Sequence, residues 1–192
     1  LIHTKNVVER KEIMSASIES RLQRLEDREE IKELVIMYGV IMDERDFDGI
    51  DRLFTTNATL RSADGVFAAE GLENIRETYK GRFDVLGATN HFTHGSVVRF
   101  DQKDSNHAFG FVMGHAEVNR HGTAMLVALR YKDEYERTTK GWQIADRIMS
   151  YMYYLPVAEY AEAFISDKQI RVYGEPAPAD WPEALRVDGS TP

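Results

Sequence analysis

Four long segments in the second half of the chain alternate apolar and polar side chains, and they constrain the fold more than any other feature. Val, Tyr, Phe and Met are frequent in them, and such residues at a period of two favour β-strands. Short polar segments suited to tight turns separate the four. The sequence therefore predicts an antiparallel meander with strands at 92–100, 108–119, 124–136 and 142–154.

The first half of the chain has a helical pattern instead. From Leu22 to Met42, apolar residues recur at steps of three and four, the spacing of one face of an amphipathic helix, and Ser17 is a suitable N-cap, with Ser20 as the alternative. Gly39 is expected to weaken the middle of this helix. The other predicted elements are helices at 47–54, 71–82 and 157–165, a turn at 55–57, and short strands at 58–62 and 66–69.

Together these elements predict an α+β half-barrel, in which a curved antiparallel sheet wraps around the N-terminal helices and leaves a pocket against the first helix. We expect one domain over residues 14–173, with Met14 as the natural start. Residues 1–13 are interpreted as a leader or as residues added in cloning. The Pro- and Gly-containing segment 174–192 is expected to be an arm or a disordered tail, with Trp181 as its one possible anchor.

Composition excludes several classes of protein. The 192 residues carry a net charge of −8, the wrong sign for a protein that binds nucleic acid or anionic lipid. The chain has no cysteine, which excludes disulfides, thiolate metal sites and cysteine nucleophiles. No apolar run approaches the roughly 20 residues of a membrane helix, and the expected location is the cytoplasm. Glycine-rich nucleotide motifs are missing, so no cofactor is predicted.

Chemistry must then come from His, Asp, Tyr or Arg side chains. Tyr38 and Asp43 are five residues apart, which separates them by ~140° around a regular helix. Tyr38 could equally be an ordinary core residue and Asp43 a solvated carboxylate. A carboxylate at a helix C-terminus lowers stability by roughly 0.3–1 kcal/mol, because it faces the negative end of the helix dipole. This cost makes Asp43 a candidate for a functional role.

The histidines do not predict a metal site. His91 and His94 differ by an odd number of positions and should point to opposite faces of a strand. His91 and His115 remain candidates for catalysis, although a lone histidine in a strand is more often structural. Arg147 lies within an otherwise apolar strand, and an ion pair with Asp133 or Asp146 is the simpler interpretation.

Several motifs in order resemble the SnoaL-like families of the nuclear-transport-factor superfamily. They include LEDREEIKEL at 25–34 with Tyr38 and Asp43 after it, His91-Phe92, and GWQIADR at 141–147. The resemblance covers most of residues 21–154 and implies a cone-shaped α+β fold. It is strongest to the branch of scytalone dehydratase, bile-acid 7α-dehydratase and hexachlorocyclohexane dehydrochlorinase.

That resemblance implies a role for each candidate. Asp43 and His91 match the Asp/His dyad of the branch, Tyr38 matches a helix tyrosine of the bile-acid dehydratase, and Arg147 matches a pocket arginine of the dehydrochlorinase. His115 lies near a second pocket histidine of scytalone dehydratase. In such a site neutral His91 would take a proton from carbon, Asp43 would hold its other nitrogen, and Tyr38 and Arg147 would stabilise the departing group.

The predicted function is thus a cofactor-independent lyase, most simply a dehydratase, acting on a hydrophobic cyclic or polycyclic molecule. An isomerase of the ketosteroid-isomerase type and a non-catalytic binding or assembly module are the alternatives. The relatives imply a homo-oligomer, a trimer or dimer, built from the outer face of the sheet and the C-terminal segment. Apolar residues expected to shape the substrate pocket are Phe54, Met113, Met125 and Met149.

Overall fold

The structure is a computed structural model that describes residues 17–181. The predicted leader at 1–13, the proposed start at Met14 and the tail from residue 182 onward lie outside the described residues.

The first helix, α1, spans Ile18–Asp43 and confirms the prediction from the apolar spacing. Ser17 is its N-cap, because its hydroxyl accepts a hydrogen bond from the Ser20 backbone N–H at 3.2 Å. The buried face begins at Asp27 and includes Ile31, Val35 and Tyr38, whereas the early apolar residue Leu22 is exposed. The C-terminal two thirds of α1 therefore pack against the sheet.

α1 ends in a Schellman motif with an arginine where glycine is usual. The Asp46 N–H donates to the Ile41 carbonyl at 3.0 Å, and the Arg45 N–H donates to the Met42 carbonyl at 3.4 Å. Arg45 has a φ of 58°, a left-handed conformation that costs an L-residue with a side chain roughly 1–2 kcal/mol. Its guanidinium offsets this cost by donating to the Leu86 and Gly87 carbonyls. The end of α1 is thereby fixed to the start of the third strand.

The connection after α1 differs in part from the sequence prediction. A 3₁₀ turn at Phe47–Gly49 and the short helix α2 at Ile50–Leu53 precede strand β1, which spans Phe54–Ser62. The predicted turn at 55–57 is wrong, because these polar residues lie in β1, where an irregularity between Phe54 and Thr59 shifts the register against its neighbour.

The remaining elements follow in the predicted order. They are β2 (Ala68–Glu70), α3 (Leu72–Val85), β3 (Leu86–Phe100), β4 (His107–Arg120), β5 (Thr123–Thr138), β6 (Gly141–Pro156), a 3₁₀ turn (Val157–Glu159) and α4 (Tyr160–Phe164). Within residues 17–181 the sheet has six strands in the order β2-β1-β6-β5-β4-β3. The prediction of antiparallel pairing is confirmed except between β1 and β6, which are parallel.

The sheet is curved and unclosed, and the main core fills the space between its concave face, α1 and α3. Fully buried residues from these three parts include Ile31 on α1, Tyr79 on α3 and Ile144 on β6. The predicted α+β half-barrel is confirmed. No helix within residues 17–181 is both long enough and apolar enough to span a bilayer.

β1 pairs with β6 only as far as Met149. The chain after α4 returns to the edge of β6 that is free beyond this residue. The Arg171 N–H donates to the Tyr154 carbonyl at 2.8 Å, and the Asp180 N–H donates to the Tyr151 carbonyl at 2.8 Å. The Arg130 guanidinium carbon lies 3.4 Å from the centre of the Trp181 ring. Residues 169–181 therefore cover this edge of the sheet.

Candidate active site

Asp43 and His91 are held together by two hydrogen bonds. Nδ1 of the His91 ring lies 2.6 Å from Oδ1 of Asp43, and the His91 backbone N–H donates to Oδ2 at 2.8 Å. The Thr89 hydroxyl donates to Oδ1 at 2.7 Å. The carboxylate is thus fixed from both oxygens by the opening residues of β3.

These bonds favour the ionised form of Asp43. Burial alone would raise the pKa of its carboxyl group, but the hydrogen bonds from the His91 ring, the His91 backbone and Thr89 more than offset this and hold the pKa below its usual value. An ionised Asp43 accepts only, so Nδ1 of neutral His91 carries the proton and Nε2 carries the lone pair. This tautomer is the one a general base requires.

Two features of α1 bring the histidine this close. The Arg45 guanidinium donates to the Thr89 hydroxyl at 3.0 Å. The residue after the end of α1 therefore also orients the hydroxyl that donates to Asp43. A Cβ placed on Gly39 would lie 3.2 Å from Cβ of His91, closer than most real Cβ contacts. Gly39, expected to weaken the helix, therefore allows β3 to approach α1 at the histidine.

Tyr38 joins the pair through an aromatic cluster. Its ring lies edge-on to His91 at 6.3 Å between centroids and edge-on to Tyr131 at 5.5 Å. Its hydroxyl oxygen is 2.8 Å from that of Tyr79. Although five positions of α1 separate Tyr38 from Asp43, the His91 ring contacts both side chains.

Arg147 lies behind this cluster and is completely buried. Its Nε and Nη2 donate to the two oxygens of Asp133 at 2.8 and 2.7 Å, and the Tyr135 hydroxyl also donates to Asp133 at 2.7 Å. The guanidinium carbon lies 4.3 Å from the Tyr38 ring centre and 4.2 Å from that of Tyr131. The ion pair with Asp133 is thus present, and Arg147 supports the two tyrosines from behind.

A cavity of about 360 Å³ opens between α1, α3 and the concave face of the sheet. This volume lies within the range of small-molecule sites. Its wall is mostly apolar or tyrosine, and it includes both Tyr38 and His91. Within residues 17–181, no group of three or more His, Asp or Glu side chains is arranged to hold a metal ion.

A family model for the SnoaL-like domain matches residues 23–148, which spans both α1 and the meander. The chain belongs to the SnoaL-like family.

Individual SnoaL-like relatives are distant in sequence. Rv2910c of Mycobacterium tuberculosis (strain H37Rv), itself uncharacterized, is 26% identical over 129 residues, which cover 65% of this chain and 84% of Rv2910c. The solved structure of LinA has a TM-score of 0.67 and 20% identity, covering 72% of this chain and 95% of LinA. A scytalone dehydratase-like protein of Novosphingobium aromaticivorans DSM 12444 has a TM-score of 0.64 and 16% identity, covering 69% and 89%. These two structures establish the shared fold.

Some of the predicted site residues line the cavity of about 360 Å³, and others do not. Met149 lines it, as do Tyr38 and His91, while Asp43 lies behind His91 and Arg147 behind the tyrosines. Phe54 and Met125 are buried in the core but are not among the lining residues.

Met113 and His115 lie on the other face of β4, and this corrects their expected place in the pocket. Because side chains alternate along a strand, their neighbours Ala116 and Val118 line the cavity while Met113 and His115 are exposed. On that outer face, Nδ1 of His115 is 2.6 Å from Nε2 of His94. The prediction that His91 and His94 point to opposite faces is confirmed.

Sequence reasoning missed several residues of the site. Thr89 and Tyr131 gave no local signal, because their roles depend on which strands meet α1. Arg82 did give one. It follows the buried Ile75 and Tyr79 of α3 at helical spacing, which places it on the inward face, and it lines the cavity.

Proposed function

We propose that this SnoaL-like protein is a cofactor-independent lyase that eliminates water or a similar leaving group from a hydrophobic cyclic molecule. The observation that carries the proposal is the His91–Asp43 pair at the cavity wall. With Nδ1 bonded to Asp43 at 2.6 Å, the ring has Nε2 left as a base in a largely apolar space.

In the proposed reaction, Nε2 of His91 takes a proton from a ring carbon of the substrate. The electrons of that C–H bond form the new carbon–carbon double bond, and the leaving hydroxyl departs from the neighbouring carbon. Asp43 stabilises the imidazolium that forms, because its carboxylate stays ionised beside Nδ1.

Tyr38 is placed to protonate the leaving group. Its hydroxyl pairs with that of Tyr79, and burial raises the pKa of Tyr79 well above its ordinary value, so Tyr79 keeps its proton. When Tyr79 donates to the Tyr38 oxygen, the Tyr38 proton is free for the substrate. Water then leaves, and the proton on His91 returns to Tyr38 through solvent.

The named relatives support the same reaction class. LinA Type2 is a hexachlorocyclohexane dehydrochlorinase, and the Novosphingobium protein is dehydratase-like. The first name describes loss of hydrogen chloride from a ring compound and the second describes loss of water, and both are eliminations like the one proposed here. In this scheme Arg147 is a positioning residue for Tyr38, since it contacts the tyrosine ring and not the cavity.

The test is a turnover assay on a panel of cyclic β-hydroxycarbonyl and halogenated ring compounds, with mass spectrometry of the products. His91→Ala and Asp43→Ala should lower turnover by at least about a hundredfold, the scale of general-base catalysis. His107→Ala, which alters a histidine outside the cavity wall, is the matched control. Full activity of either dyad variant would refute the dyad.

The same assay in deuterated water separates elimination from isomerisation. A lyase product lacks the atoms of the leaving group, whereas an isomerase product keeps the substrate composition and gains deuterium at a new carbon. Binding of ring compounds without any conversion would favour a binding module instead.

The protein is also proposed to form a homo-oligomer through the outer face of its sheet. That face exposes large apolar side chains of β3 and β4, among them Phe92 and Met113, each more than 40% exposed. Light scattering should give a dimer or trimer at micromolar concentration, and Phe92→Lys should dissociate it. A monomeric wild-type protein would refute this assembly.

A further inference from the structure

The cavity wall has the opposite charge to the chain as a whole. The chain carries a net charge of −8, yet the lining residues include two arginines, Arg82 and Arg120, and no aspartate or glutamate. Asp43 lies behind His91 and is already bonded to it. A ligand in the cavity therefore meets cationic side chains and no carboxylate.

Arg82 is the more notable of the two because it lacks an ionic partner. No carboxylate within residues 17–181 forms an ion pair with it, and the one hydrogen bond that its side chain makes there is from Nη1 to the sulfur of Met149 at 3.8 Å. Its guanidinium carbon lies 4.3 Å from the Phe67 ring centre and 5.1 Å from that of Tyr79. Aromatic faces hold the group in place, and no oxygen of residues 17–181 accepts a hydrogen bond from its N–H donors.

The neighbouring hydroxyl groups cannot neutralise this cation. Burial raises the pKa of Tyr79 and of Tyr151 well above the ordinary value, so both stay protonated at neutral pH. Arginine itself remains charged at any physiological pH. Partly buried charges are normally paired, because removal from water is costly. A guanidinium that lines a cavity and has no ion-pair partner within residues 17–181 therefore favours an anionic ligand over a neutral one.

Arg82 is also close to the candidate base. It lines a second, smaller cavity of about 50 Å³ together with Tyr38 and His91, so the three side chains border the same space. A ligand whose acid group reaches Arg82 consequently places its body between α3 and the dyad.

We propose that the cavity binds an amphipathic organic acid, an apolar ring system that carries one carboxylate. The carboxylate pairs with the planar fork of Arg82, which matches it in bidentate geometry, and the ring body packs against the apolar and tyrosine wall next to His91. Arg120 adds positive charge to the same wall. This inference rests on the proposed function in taking the cavity as the substrate site, but binding itself needs no proton transfer.

The test is calorimetric titration of the full chain with 2-naphthoate and with 2-naphthamide, which share one shape and differ in charge. The acid should bind wild-type protein at least about tenfold more tightly than the amide, as a charge-assisted pair predicts. Arg82→Met keeps the length of the side chain and should reduce this ratio to about twofold or less. Arg82→Lys should retain part of it, and thermal melts confirm that each variant is folded.

Two further variants make the outcome specific. Lys80→Met removes the same charge from an exposed position on the same helix and should leave the ratio unchanged. His91→Asn removes the base and a side chain that borders the ligand, so both affinities should fall while the acid still binds more tightly than the amide. A preserved acid preference with no catalytic effect of His91→Asn would thus refute the lyase and leave the acid site intact.

Three results would overturn the proposal. They are equal binding of acid and amide to wild-type protein, an acid preference that survives Arg82→Met, and no binding of either compound at millimolar concentration. The last would show that the cavity does not accept an aromatic acid.

Discussion

Tyr38 contacts the basic partner of two carboxylate pairs, Asp43–His91 and Asp133–Arg147, and the two pairs differ in what surrounds them. In the Asp133–Arg147 pair both side chains are 0% exposed, whereas in the Asp43–His91 pair they are 22% and 19% exposed. Both carboxylates accept three hydrogen bonds. The carboxylates are therefore alike in their hydrogen bonds, and the difference lies in their basic partners, an arginine and a histidine.

That difference indicates which pair can do chemistry. Arg147 directs two donors to Asp133, is enclosed by the rings of Tyr38 and Tyr131, and cannot give up its proton. His91 uses one nitrogen for Asp43 and borders the cavity with its ring. The pair with a titratable and accessible partner fits the proposed catalytic role, whereas the enclosed Asp133–Arg147 pair fits a structural one.

The largest expected effect on stability comes from breaking the buried Asp133–Arg147 pair. Asp133→Asn leaves Arg147 buried without its counter-charge and should lower the free energy of unfolding by about 3–5 kcal/mol. Urea denaturation measures this loss. The double variant Asp133→Leu with Arg147→Met should recover most of it, since an apolar pair carries no desolvation cost. A loss below about 1 kcal/mol in Asp133→Asn would show that the pair is not the structural one.

A smaller and pH-dependent loss of stability is expected when the partly exposed Asp43–His91 pair is broken. Asp43→Asn should lower the free energy of unfolding by about 1–2 kcal/mol at pH 7, as for loss of charged hydrogen bonds near the surface. Because the pKa of Asp43 is lower in the folded than in the unfolded protein, its stabilisation is complete above the unfolded value and is lost as pH falls through the folded value. Urea titrations of both proteins should converge at acid pH. A difference that does not change with pH would contradict this account.

Thr89→Val should affect turnover more than stability. It removes one donor to Asp43 and the link to Arg45, so the carboxylate is held less firmly while the His91 contacts remain. We expect turnover to fall about tenfold and stability to fall by about 1 kcal/mol. Thr123→Val, at an exposed position of β5, should change neither. Unchanged turnover in Thr89→Val would show that the Thr89 hydroxyl does not contribute to the reaction.

The smallest effect on stability is expected for Gly39→Ala. The new methyl group meets His91 at 3.2 Å and must displace it by a few tenths of an ångström, while the helix gains about 0.5–1 kcal/mol from the better residue. Turnover should fall severalfold with stability changed by no more than about 0.5 kcal/mol. Gly81→Ala, where a methyl group meets no atom within 4 Å, gives the stability gain without a clash. Full turnover in Gly39→Ala would mean that this close approach is not required.

The fold was largely predictable because its elements have strong local patterns. The apolar spacing of α1 and the alternation of β4, β5 and β6 predicted those elements to within two residues. β3 was predicted to start at 92 but begins at Leu86, since Gly87, Ala88 and Thr89 have no strand pattern of their own. Pairing with β4 orders them, and this is a tertiary effect.

The site was less predictable for the same physical reason. The resemblance suggested Asp43 and His91, and the structure brings the two into contact, but no spacing rule predicts that Thr89 and Arg45 complete the network. His115 and Met113 were assigned to the pocket, although one-residue alternation on β4 decides their face. Arg82 could have been predicted, because the buried face of α3 continues through it.

The most direct test of the central claim is the tautomer of His91, which needs no substrate. Long-range proton–nitrogen correlation spectra of ¹⁵N-labelled protein distinguish a protonated from a bare ring nitrogen. For the neutral ring we predict a proton on Nδ1 and a lone pair on Nε2, with Asp43→Asn shifting the population toward the opposite tautomer. A proton on Nε2 in the wild-type protein, or no change in Asp43→Asn, would contradict the account of His91 as a base held by Asp43.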